Sequence, residues 1–89
     1  DNQNLNKYKN ITVSRITRVD QNGKVIYDSS GKEKSMGNHK NRTEIKEAYE
    51  KGQGEDTRMS NTLRKQTYYY AVRLKDGTIL RMSRETQTS

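Results

Sequence analysis

The chain has 89 residues, a formal net charge of +7 and a hydrophobic content of only 27%, with no Phe, Trp, Pro or Cys. This length corresponds to one domain with a thin core, to which the six tyrosines and three methionines are predicted to contribute much. The absence of Cys excludes disulfides, thiol catalysis and cysteine metal sites. No apolar run in the sequence is long enough to span a bilayer.

The positive charge has three interpretations: nucleic-acid binding, contact with an anionic membrane or wall polymer, or solubility alone. Lys and Arg are scattered among Asp, Glu, Asn, Gln, Ser and Thr, and no run of five or more occurs. That scatter favours a solvated surface over a dedicated groove for a polyanion.

Residues 1–10 are predicted to be the end of a truncated N-terminal helix, because their only apolar residues, Leu5 and Tyr8, lie three positions apart. Their polar start indicates a domain cut from a longer protein. A strand with Ile11, Val13, Ile16 and Val19 follows, and then a turn at Asn22-Gly23. Val25, Ile26 and Tyr27 form the returning strand of this first hairpin.

A short amphipathic helix is predicted over residues 43–51. Asn41 is the predicted N-cap, with Glu44 in the capping-box position three residues later. Gly52 suits the position just after the helix, and residues 52–54 are predicted to be its exit loop. The apolar face of the helix consists of Ile45, Ala48 and Tyr49.

The last part of the chain predicts three strands. A weak edge strand lies within residues 56–63, and residues 67–83 form a hairpin with Asp76-Gly77 as its two-residue turn. The alternation along this hairpin predicts an inward face of Tyr68, Tyr70, Val72 and Leu74. The fold class is therefore α+β: a five-stranded antiparallel sheet with the N-terminal helix end and the short helix against one face.

Nearly the whole chain, from Ile11 to Ser83, resembles the extracytoplasmic PAS-like (PDC, or single Cache) sensor domains of Gram-positive membrane histidine kinases, and the phosphate-regulon sensor kinases most closely. Relatives commonly have Pro where this chain has Thr43 and an acidic residue where it has Gly37. The residues that carry the resemblance are Arg15–Asp20, Asn22–Val25, Asp28-Ser29, Met36, Asn38-His39, Arg42, Glu44–Ala48, Gly52, Gly54, Thr57-Arg58, Ser60, Thr62-Leu63, Tyr68–Val72, Asp76-Gly77 and Leu80-Arg81.

The resemblance implies a single sensor domain over residues 1–89, with a PAS-like core over residues 11–84 and a tail, residues 85–89, leading toward a membrane segment. It implies an extracytoplasmic location, transmembrane helices on both sides and a homodimer in the full-length kinase. The kinase and its phosphoacceptor histidine would lie in cytoplasmic parts outside this chain, so no enzymatic activity is expected of this fragment. The resemblance does not name the stimulus.

The candidate ligand site is a pocket between the loop Met36–Arg42, the start of the helix and the sheet, where the resemblance places ligands in such sensors. His39 and Arg42 lie near a helix N-terminus and would bind a small or anionic ligand, with Tyr68 and Tyr70 lining the wall. The simpler alternative is that Arg42 is solvated and the tyrosines fill the core.

Other chemistry has less support in the sequence. A catalytic triad would need distant Ser and Asp residues to converge on His39, the only histidine, so no catalytic residue is assigned. A metal site would need Glu33 or Glu44 to join His39, and neither a metal nor a cofactor is predicted.

Two alternative functions remain open. The first is a ligand-free structural or dimerisation module of the same kinase. The second is a nucleic-acid-binding domain that uses a basic, aromatic strip of Tyr69, Arg73, Lys75 and Arg81, although no nucleic-acid partner is expected.

Overall fold

Five antiparallel strands form one sheet, and one helix packs on it, in the computed structural model, which describes residues 13–59 and 66–86. The predicted α+β class is confirmed. In chain order the elements are β1 (Arg15–Val19), β2 (Val25–Asp28), a 3₁₀ turn (Glu33–Ser35), α1 (Thr43–Lys51), β3 (Gln53–Met59), β4 (Gln66–Arg73) and β5 (Ile79–Thr86).

The strand order across the sheet is β2-β1-β5-β4-β3. The last strand, β5, is therefore central, with β1 antiparallel on one side and β4 on the other. Strands β3 and β2 form the two edges. The predicted helix end in residues 1–10 lies outside the described residues.

The first hairpin turns as the sequence predicts. Gly23 has φ +89°, and a Cβ atom there would lie 2.3 Å from the Asn38 side chain and 2.5 Å from that of Lys40. The carbonyl of Gly23 also accepts a hydrogen bond of 2.8 Å from the backbone N–H of His39. The turn therefore anchors the loop that leads into α1, and only glycine fits there.

Helix α1 has the predicted bounds but not the predicted cap. Its N-cap is Arg42 rather than Asn41, and no side chain caps it. The capping-box prediction for Glu44 is wrong, because its carboxylate turns toward the sheet and binds two arginines. Gly52 is the left-handed C-cap, and β3 begins at the next residue, so the predicted exit loop is shorter than expected.

Among the described residues the core consists of aliphatic side chains rather than tyrosines and methionines. Met36 and Tyr49 only pack against its edge, while Tyr27 and Met59 are about half exposed. The buried apolar residues are Val19, Val25, Ile45, Ala48, Ala71 and Ile79.

The face of β4 that meets the helix is the opposite of the predicted one. Ala71 is fully buried on the helix side with Tyr69, whereas Tyr68, Tyr70 and Val72 are partly buried on the other face. Leu74 lies beyond the end of β4. Close packing explains which face the helix covers, because the helix approaches the sheet too closely for a row of tyrosines to lie beneath it.

The close approach occurs at Gly54 of β3, which pairs with Ala71 of β4. A Cβ atom on Gly54 would lie 2.4 Å from the carbonyl oxygen of Glu44 and 2.5 Å from the Cβ of Glu47. Real Cβ atoms do not come so close, so the first two turns of α1 rest directly on the backbone of β3. This contact fixes the start of the helix over the sheet.

Candidate functional site

A cavity of about 230 Å³ opens where the loop before α1 faces one end of the sheet. Its walls combine four arginines with one histidine and one tyrosine. The lining residues are Arg15, Met36, Gly37, His39, Arg42, Arg58, Tyr69 and Arg81.

The sheet register brings three of these arginines together. Arg15 of β1 and Tyr69 of β4 both pair with Ser83 of β5, from opposite sides. Arg81 lies two residues before Ser83 and therefore has its side chain on the same face. Arg58 lies on β3 two residues after Asp56, which pairs with Tyr69.

Glu44 holds two of the arginines from the first turn of α1. Its Oε1 accepts a hydrogen bond of 2.6 Å from Nη1 of Arg58, and its Oε2 accepts bonds of 3.1 Å from Nη2 of Arg58 and 3.0 Å from Nη1 of Arg81. Burial alone would raise the pKa of Glu44, but the bonds from Arg58 and Arg81 outweigh burial and lower the pKa below its ordinary value. The side chain is fully buried and stays ionised.

Tyr69 contacts two guanidinium groups. The Cζ of Arg58 is 4.0 Å from its ring centroid, and the Cζ of Arg81 is 4.7 Å away. Both distances fit cation–π contact, which adds a stabilising term for each cation. The ring therefore helps to hold the two arginines at the cavity.

Arg81 is the buried charge of the site, with 4% of its surface exposed. Burial lowers its pKa, and the bond to Glu44 opposes that change. Its Nη2 donates to the hydroxyl of Thr17 at 3.3 Å, but its Nε is buried without a hydrogen-bond partner. A buried donor without a partner costs free energy, and a ligand or water could satisfy it.

Arg15 is held by the buried Asp28 of β2. The Nε of Arg15 donates to both carboxylate oxygens, at 3.0 and 2.9 Å. Burial would raise the pKa of Asp28, but hydrogen bonds from Ser30, Thr17 and Arg15 hold it well below its usual range. The charged carboxylate thus fixes Arg15 at the cavity edge.

His39 and Arg42 form the loop side of the cavity. His39 is 5% exposed, and its Nδ1 lies 2.8 Å from the carbonyl oxygen of Gly37. Burial lowers the pKa of His39, and the charges of Arg81 and Arg42 lower it further. The exposed Arg42 guanidinium has no ion pair or hydrogen bond within residues 13–59 and 66–86.

The charges in and behind the cavity do not cancel. Among residues 13–59 and 66–86 its four arginines face three carboxylates, and each carboxylate binds at least one of them. One unit of positive charge is left over, and protonation of His39 would double it. The carboxylates are Asp28, Glu44 and Asp56.

The structure places two of the four predicted site residues at this cavity, His39 and Arg42. The prediction that Tyr68 and Tyr70 line the same pocket is wrong. They lie on the other face of the sheet, where their hydroxyls donate to Glu55 at 2.5 Å and to Gln53 at 3.0 Å. Burial and the Glu55 carboxylate raise the pKa of Tyr68 to about 12.

Sequence reasoning missed Arg15, Arg58 and Glu44 as parts of the site. It placed Tyr69 and Arg81 on one face but took that face to be the outer one. The missed signal was the pair of small residues Gly54 and Ala71, which lie side by side in β3 and β4 where the helix comes close. That signal would have predicted that Tyr69 and Arg81 lie on the face covered by the helix.

The same finding argues against the basic, aromatic strip that was considered as an alternative for nucleic-acid binding. Tyr69 is covered by two guanidinium groups and Arg81 is buried, so neither can stack on a base. Only Arg73 and Lys75 of that strip are exposed.

Within the described parts of the chain, no group of three or more His, Asp or Glu residues could hold a metal ion.

The comparisons with known proteins agree with this sheet-and-helix architecture. The sequence model of the Single Cache-like family matches residues 2–79, which is most of the chain, and the chain belongs to that family. Comparisons with curated proteins and with solved structures found no match. Single Cache-like domains are typically extracellular sensor modules and are not catalytic on their own. Among the helical residues that the structure describes, none forms a helix long and apolar enough to cross a membrane.

Proposed function

We propose that this chain is the extracytoplasmic sensor domain of a membrane histidine kinase, and that its arginine-lined cavity binds a small anion. The family supports the sensor role. The resemblance of residues 11–83 to the Gram-positive phosphate-regulon kinases supports the kinase. Recognition of the anion rests on the residues of the cavity.

The observation that carries the proposal is the concentration of guanidinium donors around a small space. The guanidinium of Arg42 has no partner among the described residues, and the Nε of Arg81 is buried and unpaired. Arginine donors bind oxyanions through paired, charge-assisted hydrogen bonds. The volume of about 230 Å³ is below the roughly 300–1,000 Å³ of sites for drug-sized ligands, so it suits an anion of few atoms.

The position of the cavity suggests how binding would become a signal. An anion there contacts the loop through His39 and Arg42 and the central strand through Arg81. Binding that favours a closed loop would shift the balance between two arrangements of the loop and the sheet, because a ligand shifts an equilibrium only by its differential affinity. In the proposed kinase, β5 and the N-terminal helix would pass that shift to transmembrane helices.

A thermal-shift experiment tests the anion site. Phosphate, sulfate and small carboxylates are added separately, with sodium chloride at equal ionic strength as reference because the domain carries a net charge of +7. An anion present at 100 times its Kd stabilises the folded state by about 2.7 kcal/mol, which raises the Tm of a domain this size by roughly ten degrees or more. We expect such a rise for the wild type and little for Arg42→Ala.

Lys75→Ala is the matched control, because it removes the same charge from the exposed β4–β5 turn, away from the cavity. It should respond to the anion as the wild type does. An equal response in Arg42→Ala, or no response of the wild type to any of the anions, would exclude the proposed site.

The kinase is tested separately by the coding sequence on either side of this domain. We expect hydrophobic spans before and after it and a cytoplasmic histidine kinase beyond the second span. A different arrangement would exclude the kinase and leave the anion site unaffected.

A further inference from the structure

His39 occupies an unusual position for an ionisable group. Its ring is almost completely buried beside a cavity whose other polar walls are cationic. Its Nδ1 lies 2.8 Å from the Gly37 carbonyl, so the neutral ring donates from Nδ1 and carries its lone pair on Nε2. A protonated ring would place another cation among arginines.

Every element around the cavity contributes a charged or titratable group to this environment. These groups are Arg15 from β1, Asp28 from β2, Arg42 from the loop, Glu44 from α1, Asp56 and Arg58 from β3, Tyr69 from β4 and Arg81 from β5. The three carboxylates already bind Arg15, Arg58 and Arg81, and none of them forms an ion pair with His39. Among the residues that the structure describes, the imidazolium form therefore lacks a counter-ion of its own.

We propose that an anion and a proton bind this cavity together, with His39 taking up the proton, so that the domain responds jointly to anion concentration and acidity. This inference rests on the proposed anion site. The bound anion supplies the missing counter-ion and offsets the repulsion from Arg42 and Arg81. By linkage, whatever makes protonation of His39 easier in the bound state also makes the anion bind more tightly at lower pH.

The direction of the pH dependence follows from the pKa of His39 in the free and in the anion-bound domain. In the free domain, burial and the charges of Arg81 and Arg42 keep its pKa below the ordinary value. In the bound domain the anion raises that pKa. Between the two pKa values binding takes up a proton, so affinity increases as the pH falls through this interval and is independent of pH above it.

Proton NMR tests this directly, because the chain contains one histidine and its ring signals need no assignment. Sulfate is the probe, since its own charge does not change over the range studied. We expect His39 to titrate below about pH 6.5 without sulfate and at least about one pH unit higher with saturating sulfate. Correspondingly, sulfate should bind more tightly near pH 5.5 than near pH 8, by up to about tenfold for each unit of that shift.

The variant His39→Asn separates this effect from the general gain of positive charge in acid. An Asn side chain can still donate to the Gly37 carbonyl, and a thermal melt checks that the fold is kept. Its affinity for sulfate should vary with pH far less than that of the wild type.

The outcomes are distinguishable. Sulfate binding with equal affinity at both pH values, or a His39 that titrates at the same pH with and without sulfate, would overturn the proton coupling and leave the anion site. Absence of sulfate binding at either pH would overturn the coupling, and absence of any anion-induced thermal shift would overturn the site as well.

Discussion

Glu44 shows how one side chain can determine a local structure that its sequence position does not reveal. It occupies the third position after a potential cap, which predicts a bond back to the chain before the helix. Instead its carboxylate is buried and binds Arg58 and Arg81. Hydrogen bonds from two guanidinium groups stabilise the carboxylate more than one bond from a backbone N–H would. Arg81, in turn, could not be buried without this counter-charge.

Replacement of Glu44 by Gln tests that account. The change keeps the shape of the side chain but leaves Arg81 buried without its counter-ion. Breaking one side of a buried ion pair costs about 3–5 kcal/mol, and since Arg58 is partly exposed to water we expect about 3 kcal/mol. The urea midpoint of unfolding measures it.

Glu50→Gln is the matched control, because Glu50 lies on the same helix and is exposed. Both variants raise the net charge equally. If the two variants have the same urea midpoint, the carboxylate of Glu44 has no special role in stability.

At the scale of elements, the contact between α1 and β3 determines which face of the sheet is covered. Gly54 and Ala71 leave a depression, and Ala48 of the helix is buried against it. A side chain as large as tyrosine would not fit at the position of Ala71. This contact also fixes the helix start, and with it Glu44 and the loop beside the cavity.

Gly54→Ala should therefore destabilise the domain strongly. The added methyl group would lie within 2.5 Å of both the Glu44 carbonyl and the Glu47 side chain, which forces the helix away from the sheet. Overpacking of this kind costs about 1–3 kcal/mol, and we expect a value near the upper limit because one neighbour is backbone. Urea unfolding followed by circular dichroism measures the change.

Gly37→Ala provides the comparison. Nothing lies within 4 Å of a Cβ atom at Gly37, and its backbone φ is not positive. A glycine-to-alanine change at such a position stabilises by about 0.4–1 kcal/mol through the unfolded chain. Equal effects at both positions would show that close packing is not the cause.

The elements themselves could be predicted from the sequence because they depend on local signals. Alternating side chains predicted strands, Asn22-Gly23 and Asp76-Gly77 predicted the hairpin turns, and Gly52 predicted the end of the helix. The inward face of β4 could not be read in this way, since both faces alternate equally well. It depends on Gly54, which meets the helix only in three dimensions.

At the scale of the whole molecule, two buried carboxylates make stability depend on pH. Asp28 and Glu44 both have pKa values below their ordinary range in the folded state. A group with a lowered pKa stabilises the fold above its unfolded pKa and loses that contribution as the pH falls. His39, whose pKa is also lowered, adds a loss that begins near pH 6.5 as the pH falls.

We therefore expect the free energy of unfolding to fall by about 2 kcal/mol or more between neutral pH and about pH 3, with most of the loss below about pH 4.5. Urea unfolding at a series of pH values measures it. Asp28→Asn should be less stable at neutral pH and should show a shallower pH dependence. A curve parallel to that of the wild type would mean that Asp28 does not contribute to acid sensitivity.

The candidate site illustrates what sequence can and cannot predict. His39 and Arg42 belong to one loop beside a helix start, so their proximity could be predicted locally. Arg15, Arg58 and Arg81 come from three strands and meet only through the register of the sheet. Scattered arginines that look like a solvated surface in sequence thus converge on one cavity.

The central position of β5 has a mechanical consequence. A force applied along the chain at Thr86 would load the ladders with β1 and β4 in shear, so that many hydrogen bonds on both sides must break together. A strand at the edge of a sheet, pulled across its length, would instead detach one bond at a time. The strand that holds Arg81 is therefore hydrogen-bonded along both of its edges, and a displacement along it is resisted by both ladders together.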